Sequence, residues 1–301
     1  MNLSYQVVDV FTRTALEGNA LAVFTDAQAL DARTMQRIAR ELNLAETAFL
    51  LPSTREGCDV RVRIFTTAKE MIFAGHPTIG SAYVARESGF VPRDAMEFVL
   101  DELVGPVPIR IESKDDPLLW LRTPPISKRN RFDGAQCARA VGLEPEDLLP
   151  GIPCEVWTAG NPILFVPVRD KATVDRAEPD TAALRLLYAG EAESLCTFVF
   201  APVPTGAYSR MFAPELGVVE DPATGSATGP LAAFMIEYGL APATADSARF
   251  VSEQGVKIER RSELHVRLIG ERGKDGIEVG GYVAPITRAV MTLDLGRPGD
   301  A

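Results

Sequence analysis

Three side chains in this 301-residue chain are of types that could move a proton: Glu46, His76 and Asp221. Glu46 heads the apolar run Ala45-Glu46-Thr47-Ala48-Phe49-Leu50. A carboxylate at the edge of a buried strand could have its pKa raised by desolvation, toward acid–base duty; read alone, Glu46 is better taken as an ordinary strand-end glutamate at the surface. His76 stands between Gly75 and Pro77, ahead of a helix whose positive N-terminus favours a neutral imidazole; a lone histidine is also commonly structural. Asp221 belongs to Glu220-Asp221-Pro222-Ala223-Thr224-Gly225-Ser226, which by itself reads as a plain helix start with Asp221 as cap and Pro222 in the first turn.

The alternative reading of both segments is a binding site. Helix N-termini expose unpaired N–H groups and a partial positive charge, so two of them facing one cleft would hold a carboxylate or a developing oxyanion. The expected partner is a small carboxylate. No Gly-Lys-Ser/Thr follows the second segment, and it lacks the glycine spacing of a dinucleotide site. Four scattered cysteines and two histidines lack the spacing of zinc ligands, so no metal or cofactor is expected. A net charge of −10 with scattered arginines argues against nucleic acid. The N-terminus carries no basic segment followed by an apolar run, and no stretch of about 18 apolar residues follows, so the chain is read as cytoplasmic, without a membrane partner.

The elements that must position these residues are legible in outline. Residues 5–11, 21–24, 47–51 and 60–65 are rich in β-branched or aromatic residues and predict strands. Met35, Ile38, Ala39 and Leu42 recur at helical spacing after Asp31, a candidate N-cap, with Asn43 as the stop. An ordered repeat runs through the chain: Ala45-Glu46, Arg63-Ile64-Phe65 and His76-Pro77-Thr78-Ile79-Gly80-Ser81-Ala82 are answered by Ala192-Glu193, Arg210-Met211-Phe212 and Asp221-Pro222-Ala223-Thr224-Gly225-Ser226-Ala227. It predicts two similar lobes, each with an amphipathic helix opening at the shared Gly-Ser-Ala, Ser81 to Ser88 and Ser226 to Tyr238. Glu193, in the place equivalent to Glu46, reads as structural, and alternation puts His265 on the polar, solvent-facing side of a strand. Thr123-Pro124-Pro125 breaks helix and sheet, placing the lobes at 1–125 and 126–301, with the last strand able to return to the first lobe.

Asp9-Val10-Phe11, Gly18-Asn19-Ala20-Leu21-Ala22-Val23, Asn43-Leu44-Ala45-Glu46-Thr47, Gly75-His76-Pro77-Thr78 and Glu220 to Ala227, in that order, resemble the phenazine-biosynthesis PhzF-like family over residues 5 to about 290. Arg210-Met211-Phe212-Ala213-Pro214 and Glu253-Gln254-Gly255 support the match. The resemblance implies an α/β (α+β) diaminopimelate-epimerase-like fold: two pseudo-symmetric lobes, each a curled, mostly antiparallel sheet around a central helix. It implies a cofactor-independent isomerase in which Glu46 takes a proton from the substrate and returns it elsewhere. His76, Asp221, Ser226 and Asn19 would bind substrate or relay protons, with Gly75 and Gly225 bringing backbone N–H groups close. It also implies a homodimer. Related epimerases and racemases use one cysteine from each lobe, and no cysteine lies in either motif here, which favours one-carboxylate chemistry over a two-thiol mechanism; epimerisation, racemisation or elimination on a related acid is the enzymatic alternative. A sensor that keeps the cleft without the chemistry is the reading from another class. Two positions depart from the family's usual pattern: Ala20 stands where proline is common and Ala45 where serine is common.

Overall fold

The computed structural model describes residues 1–193, 195–242 and 249–294. The first half of the chain forms β1 (Asn2–Val10), β2 (Asn19–Phe24), α1 (Ala32–Leu42), β3 (Glu46–Pro52), β4 (Val60–Thr66), β5 (Glu70–Met71), α2 (Gly75–Glu87), β6 (Glu97–Glu102), β7 (Gly105–Glu112) and β8 (Leu118–Arg122). The second half forms β9 (Ser127–Phe132), α3 (Gly134–Ala140), β10 (Cys154–Thr158), β11 (Pro162–Pro167), α4 (Lys171–Arg176), α5 (Thr181–Leu187), β12 (Cys196–Val203), β13 (Gly206–Ala213), β14 (Val218–Asp221), α6 (Gly225–Glu237), β15 (Arg249–Gln254), β16 (Ser262–Ile269), β17 (Gly276–Gly281) and β18 (Val283–Thr292). The four strands expected in the first lobe form within a few residues of their predicted bounds. Helix α1 is capped by the Asp31 carboxylate, which accepts from Thr34 N, and ends at Asn43 in the left-handed conformation.

Each lobe is a mostly antiparallel sheet with two parallel joints. In the first, β2 pairs with β3 and β4 with β6 in parallel; in the second, β11 pairs with β12 and β13 with β15. Each parallel joint requires a crossover, and the crossovers contain the helices. Strand β9 pairs with β10, whereas β18 runs antiparallel along β1. The final strand therefore does for the first lobe what β9 does for the second. Strands β8 and β17 pair antiparallel and carry the sheet across the seam.

The cores explain which helix sits where. Ile79, Ala82, Val84 and Ala85 of α2 pack inside the first sheet against Val8, Leu21, Ile64 and Leu121. Ala227, Leu231, Phe234 and Met235 of α6 do the same in the second, against Phe165, Phe198 and Val266. The outer faces are covered by α1 and by α3, α4 and α5. Helix α2 is not the amphipathic Ser81–Ser88 element expected: it starts at Gly75 and is buried on almost every side, as a helix wrapped by sheet must be. Among the described residues no helix is long and apolar enough to cross a membrane.

The repeat also takes a different register. Arg63 forks onto Glu70 at 2.7 Å through both Nε and Nη2, and Arg210 forks onto Glu220 at 3.1 and 2.7 Å. These equivalent ion pairs align Glu70 with Glu220, and hence Gly75 with Gly225 and His76 with Ser226. The sequence words that matched, His76-Pro77 and Asp221-Pro222, are out of step in space. Strand pairing sets Phe49 against Arg63 and Val199 against Arg210, so the counterpart of Glu46 is Cys196, not Glu193. By the same pairing Gly160-Asn161 answers Gly18-Asn19.

The helices α2 and α6 meet start to start. A Cβ on Gly75 would lie 2.7 Å from the backbone of Gly225, and one on Gly225 would lie 3.1 Å from Gly75 Cα. The opposing atoms are backbone and cannot swing aside. Gly75→Ala is expected to lower stability by roughly 1–3 kcal/mol, the usual cost of overpacking, read as a lower thermal midpoint by calorimetry. An unchanged midpoint would show that the two helix starts are free to separate.

Candidate active site

The residues that could do chemistry lie at element ends that converge on this contact. Glu46 opens β3, beside Leu21 of β2 and Thr66 of β4. Asn19 opens β2 after Gly18, whose φ of +67° and 2.4 Å Cβ approach to Val10 O admit only glycine. His76 is the second residue of α2, and Asp221 closes β14.

A hydrogen-bond chain crosses from one lobe to the other. The Asn19 amide nitrogen donates to Asp221 Oδ1 at 2.8 Å and to Ala223 O at 3.1 Å, and lies 3.3 Å from His76 Nδ1. Both firm partners are acceptors, so the Asn19 group facing His76 is the NH2, whose two hydrogens serve Asp221 and Ala223 and whose nitrogen cannot accept; Nδ1 therefore faces it unprotonated, and the imidazole proton is assigned to Nε2. That Nε2 is buried without a hydrogen bond, 3.3 Å from Glu46 Oε2 but misaligned with it. Thr224 Oγ1 donates to Asp221 Oδ2 at 2.6 Å. Behind it Gln254 donates to Asp221 O and Thr224 Oγ1 at 2.7 and 2.9 Å and accepts from Thr224 N at 3.1 Å.

Burial sets the charges. Glu46 is pushed up to about 8, first by desolvation and then by the Asp221 carboxylate. Asp221 is raised by desolvation to about 6, held from rising further by Thr224 and Asn19. Desolvation lowers His76 to about 3. At neutral pH the cluster therefore holds an ionised Asp221, a neutral imidazole and a Glu46 poised to gain or lose its proton. The close contact of His76 and Glu46 is not an ion pair.

The two helix starts are open. Asp221 does not cap α6: its N-cap is Thr224, and neither Thr224 nor Ala74, the N-cap of α2, makes a side-chain capping hydrogen bond. The first-turn amides, those of Gly75 and Gly225 among them, have no acceptor on their own helices, and the Ser226 hydroxyl has no partner among the described residues. An anion placed there would meet donors from both lobes.

Sequence reasoning missed the opposite wall. Cys196, counterpart of Glu46, is nearly buried, its thiol raised to about 12 by desolvation and by Asp221 and Glu46. It stays protonated and cannot act as a thiolate base. The Gly160-Asn161 repeat was the signal that would have found the true register. Glu193, by contrast, lies at the surface near Arg129. His265 departs from its expected exposure: its Nε2 is buried and unpartnered, with the ring edge-on to Trp120 and Tyr282. A cavity of about 750 Å³ opens elsewhere on the seam, between Pro124, Trp157 and Lys274; Glu46, His76 and Asp221 do not line it.

Residues 8–288 match the model of the phenazine biosynthesis-like protein family. The chain is a member of the PhzF family. It is 35% identical over 280 residues to trans-2,3-dihydro-3-hydroxyanthranilate isomerase of Pseudomonas aeruginosa, covering 92% of this chain and 95% of that one. An uncharacterised isomerase of Mesorhizobium japonicum is 34% identical over 298 residues, 94% of this chain and 96% of the relative. The structure superposes on a PhzF-family protein of Bacillus anthracis with a TM-score of 0.86 at 24% identity, over 97% of this chain and 100% of the other. A hydroxyproline epimerase of Agrobacterium vitis shares the fold, with a TM-score of 0.68 at 14% identity over 97% of this chain and 93% of that one. Like its PhzF relatives, the chain is an isomerase with two epimerase-like lobes.

The raised Glu46 has a consequence for stability. Its folded pKa, about 8, lies above the ordinary 4.5, so between those values the folded state holds a proton that the unfolded chain has released. Its contribution is present in full below about pH 4.5 and is lost as pH rises through 8. Glu46→Gln should therefore raise the thermal midpoint more at pH 8.5 than at pH 5.5, by a free energy on the order of 1–4 kcal/mol. Equal effects at both pH values would show that the carboxyl titrates as an exposed one.

Proposed function

We propose that this PhzF-family isomerase moves a proton within a small unsaturated or cyclic carboxylic acid, with Glu46 as the single acid–base group. The observation that carries the reading is the desolvated Glu46 carboxyl beside the unpartnered Nε2–H of His76. A carboxylate of raised basicity takes a C–H proton more readily than an exposed one and, once protonated, is an acid able to return it at another carbon. The Nε2–H of His76 and the amides at the starts of α2 and α6 are donors for the substrate carboxylate or the dienolate formed between the two transfers. Asp221 and Asn19 act through His76 by holding its tautomer.

Cys196 faces the same electrostatic neighbourhood as Glu46 but keeps its proton, which favours one base over the paired bases of an epimerase. The substrate named for the Pseudomonas aeruginosa relative, trans-2,3-dihydro-3-hydroxyanthranilate, is the first compound to offer, together with related unsaturated acids. Ala45 contributes no hydroxyl on the N-terminal side of Glu46.

Glu46→Gln should abolish isomerisation and the entry of solvent deuterium while leaving substrate affinity within about threefold, because the amide keeps the volume but cannot accept the proton. A variant that still exchanges deuterium would remove Glu46 from the role. In the wild type, kcat/KM should rise tenfold per pH unit up to a midpoint near 8, the value to which burial pushes Glu46. A midpoint near 4 to 5 would mean that the carboxyl is solvated in the working enzyme.

A further inference from the structure

Thr78 lies one turn into α2, and its hydroxyl stands between two oxygens, Ala74 O at 2.8 Å and Glu102 Oε1 at 2.7 Å. A hydroxyl has one hydrogen, and a backbone carbonyl can only accept. If Thr78 donates to Ala74 O, the short contact to Glu102 is a hydrogen bond only when the glutamate supplies the proton. Glu102 Oε2 is buried and has no partner, so an ionised Glu102 would leave an uncompensated charge in the interior.

We propose that Glu102 is a positioning residue that works as a neutral carboxylic acid, donating to Thr78 and so holding the first turn of α2, with Gly75 and His76, against the opposite lobe. The second lobe supports this assignment. The parallel pairs Val60 with Leu100 and Ala207 with Ser252 make Gln254 the counterpart of Glu102, and Gln254 is the neutral donor and acceptor beneath the start of α6. A protonated glutamate supplies the same pair of functions beneath α2. Desolvation raises Glu102 to about 8, consistent with the bond count.

The charged groups nearby do not replace the proton. A cavity of about 230 Å³ on the far side is lined by Arg55, Arg61, Arg63, Asp101 and Glu102. Arg55 is bound to Asp101 at 2.6 Å and Arg63 to Glu70 at 2.7 Å; Arg61 makes no hydrogen bond to Glu102. On the α2 side, the titratable group is His76, two residues before Glu102's partner Thr78, and it stays neutral. The cavity gives the Glu102 proton a route for exchange with water. Loss of that proton would turn the Thr78 hydroxyl toward the carboxylate and leave Ala74 O with only its bond from Thr78 N, at 3.1 Å.

The test has two arms. Difference infrared spectroscopy of the whole protein at pH 6.5, wild type against Glu102→Gln, should show a protonated-carboxyl band that the substitution removes; this arm does not depend on the reaction. The second arm rests on the isomerase reading and compares pH profiles. Glu102→Gln should keep kcat within about twofold near neutral pH and lose a decline above pH 8, leaving the rise assigned to Glu46 intact, whereas Glu102→Ala should cost about tenfold or more through a misplaced His76. Should Glu102→Ala fail to fold, the infrared band and the Glu102→Gln profile still decide. A difference spectrum in which Glu102→Gln removes no protonated-carboxyl intensity, or a Glu102→Gln profile with an unchanged alkaline decline, overturns the proposal. Failure of the isomerase reading would show instead in an active Glu46→Gln, with the infrared result unaffected.

Discussion

The contact on which the rest depends is the approach of Gly75 to Gly225. With no Cβ on either side, two helices from different lobes meet start to start, at a distance that any side chain would prohibit. Two helix N-termini facing each other are electrostatically unfavourable alone, since each bears partial positive charge. The ionised Asp221, placed at the join and shared between Thr224 and Asn19, offsets that repulsion, and a substrate carboxylate would do so further. The same closeness buries His76 and leaves Glu46 only partly exposed, which is why both are pulled toward their neutral forms.

The pseudo-symmetry of the lobes is broken where chemistry demands it. Glu46 has Cys196 opposite, His76 has Ser226 and Glu102 has Gln254. In each pair the first lobe carries a carboxyl or an imidazole and the second a thiol, hydroxyl or amide that stays neutral. The scaffold pairs, by contrast, are retained: Arg63 with Glu70, Arg210 with Glu220, and the Gly-Asn turns before β2 and β11. A duplicated frame with one reactive half suits a reaction in which the same group removes and returns a proton.

Much of the frame was legible from local signals. The β-branched runs of β1 to β4 and the Asp31 and Asn43 caps of α1 are set by neighbours in sequence, and they form as read. The central helices were not, because Gly75-His76-Pro77-Thr78-Ile79-Gly80 carries turn residues and no polar face. It becomes helix because the sheet wraps it and because Pro77, in the first turn, forfeits only an N–H that had no partner. The family motifs marked Glu46, His76, Asp221 and Asn19, and the structure brings these four within one connected cluster. Cys196 and Glu102 carry no local mark, since what distinguishes them is burial supplied by strands far away in sequence. The matched words of the repeat misled because the hairpin between Arg63 and Glu70 is shorter than the one between Arg210 and Glu220, and the Arg–Glu pairs and strand pairing reveal the register.

The most direct test of this account is the titration of the Glu46 carboxyl itself, followed by carbon NMR with labelled glutamate and assigned through Glu46→Gln. A midpoint near 8 would establish a desolvated carboxyl that is protonated at rest and basic when ionised, as the cleft geometry requires. A midpoint near the ordinary 4.5 would mean that water reaches Glu46, and the single-base proton shuttle built on its burial would fall.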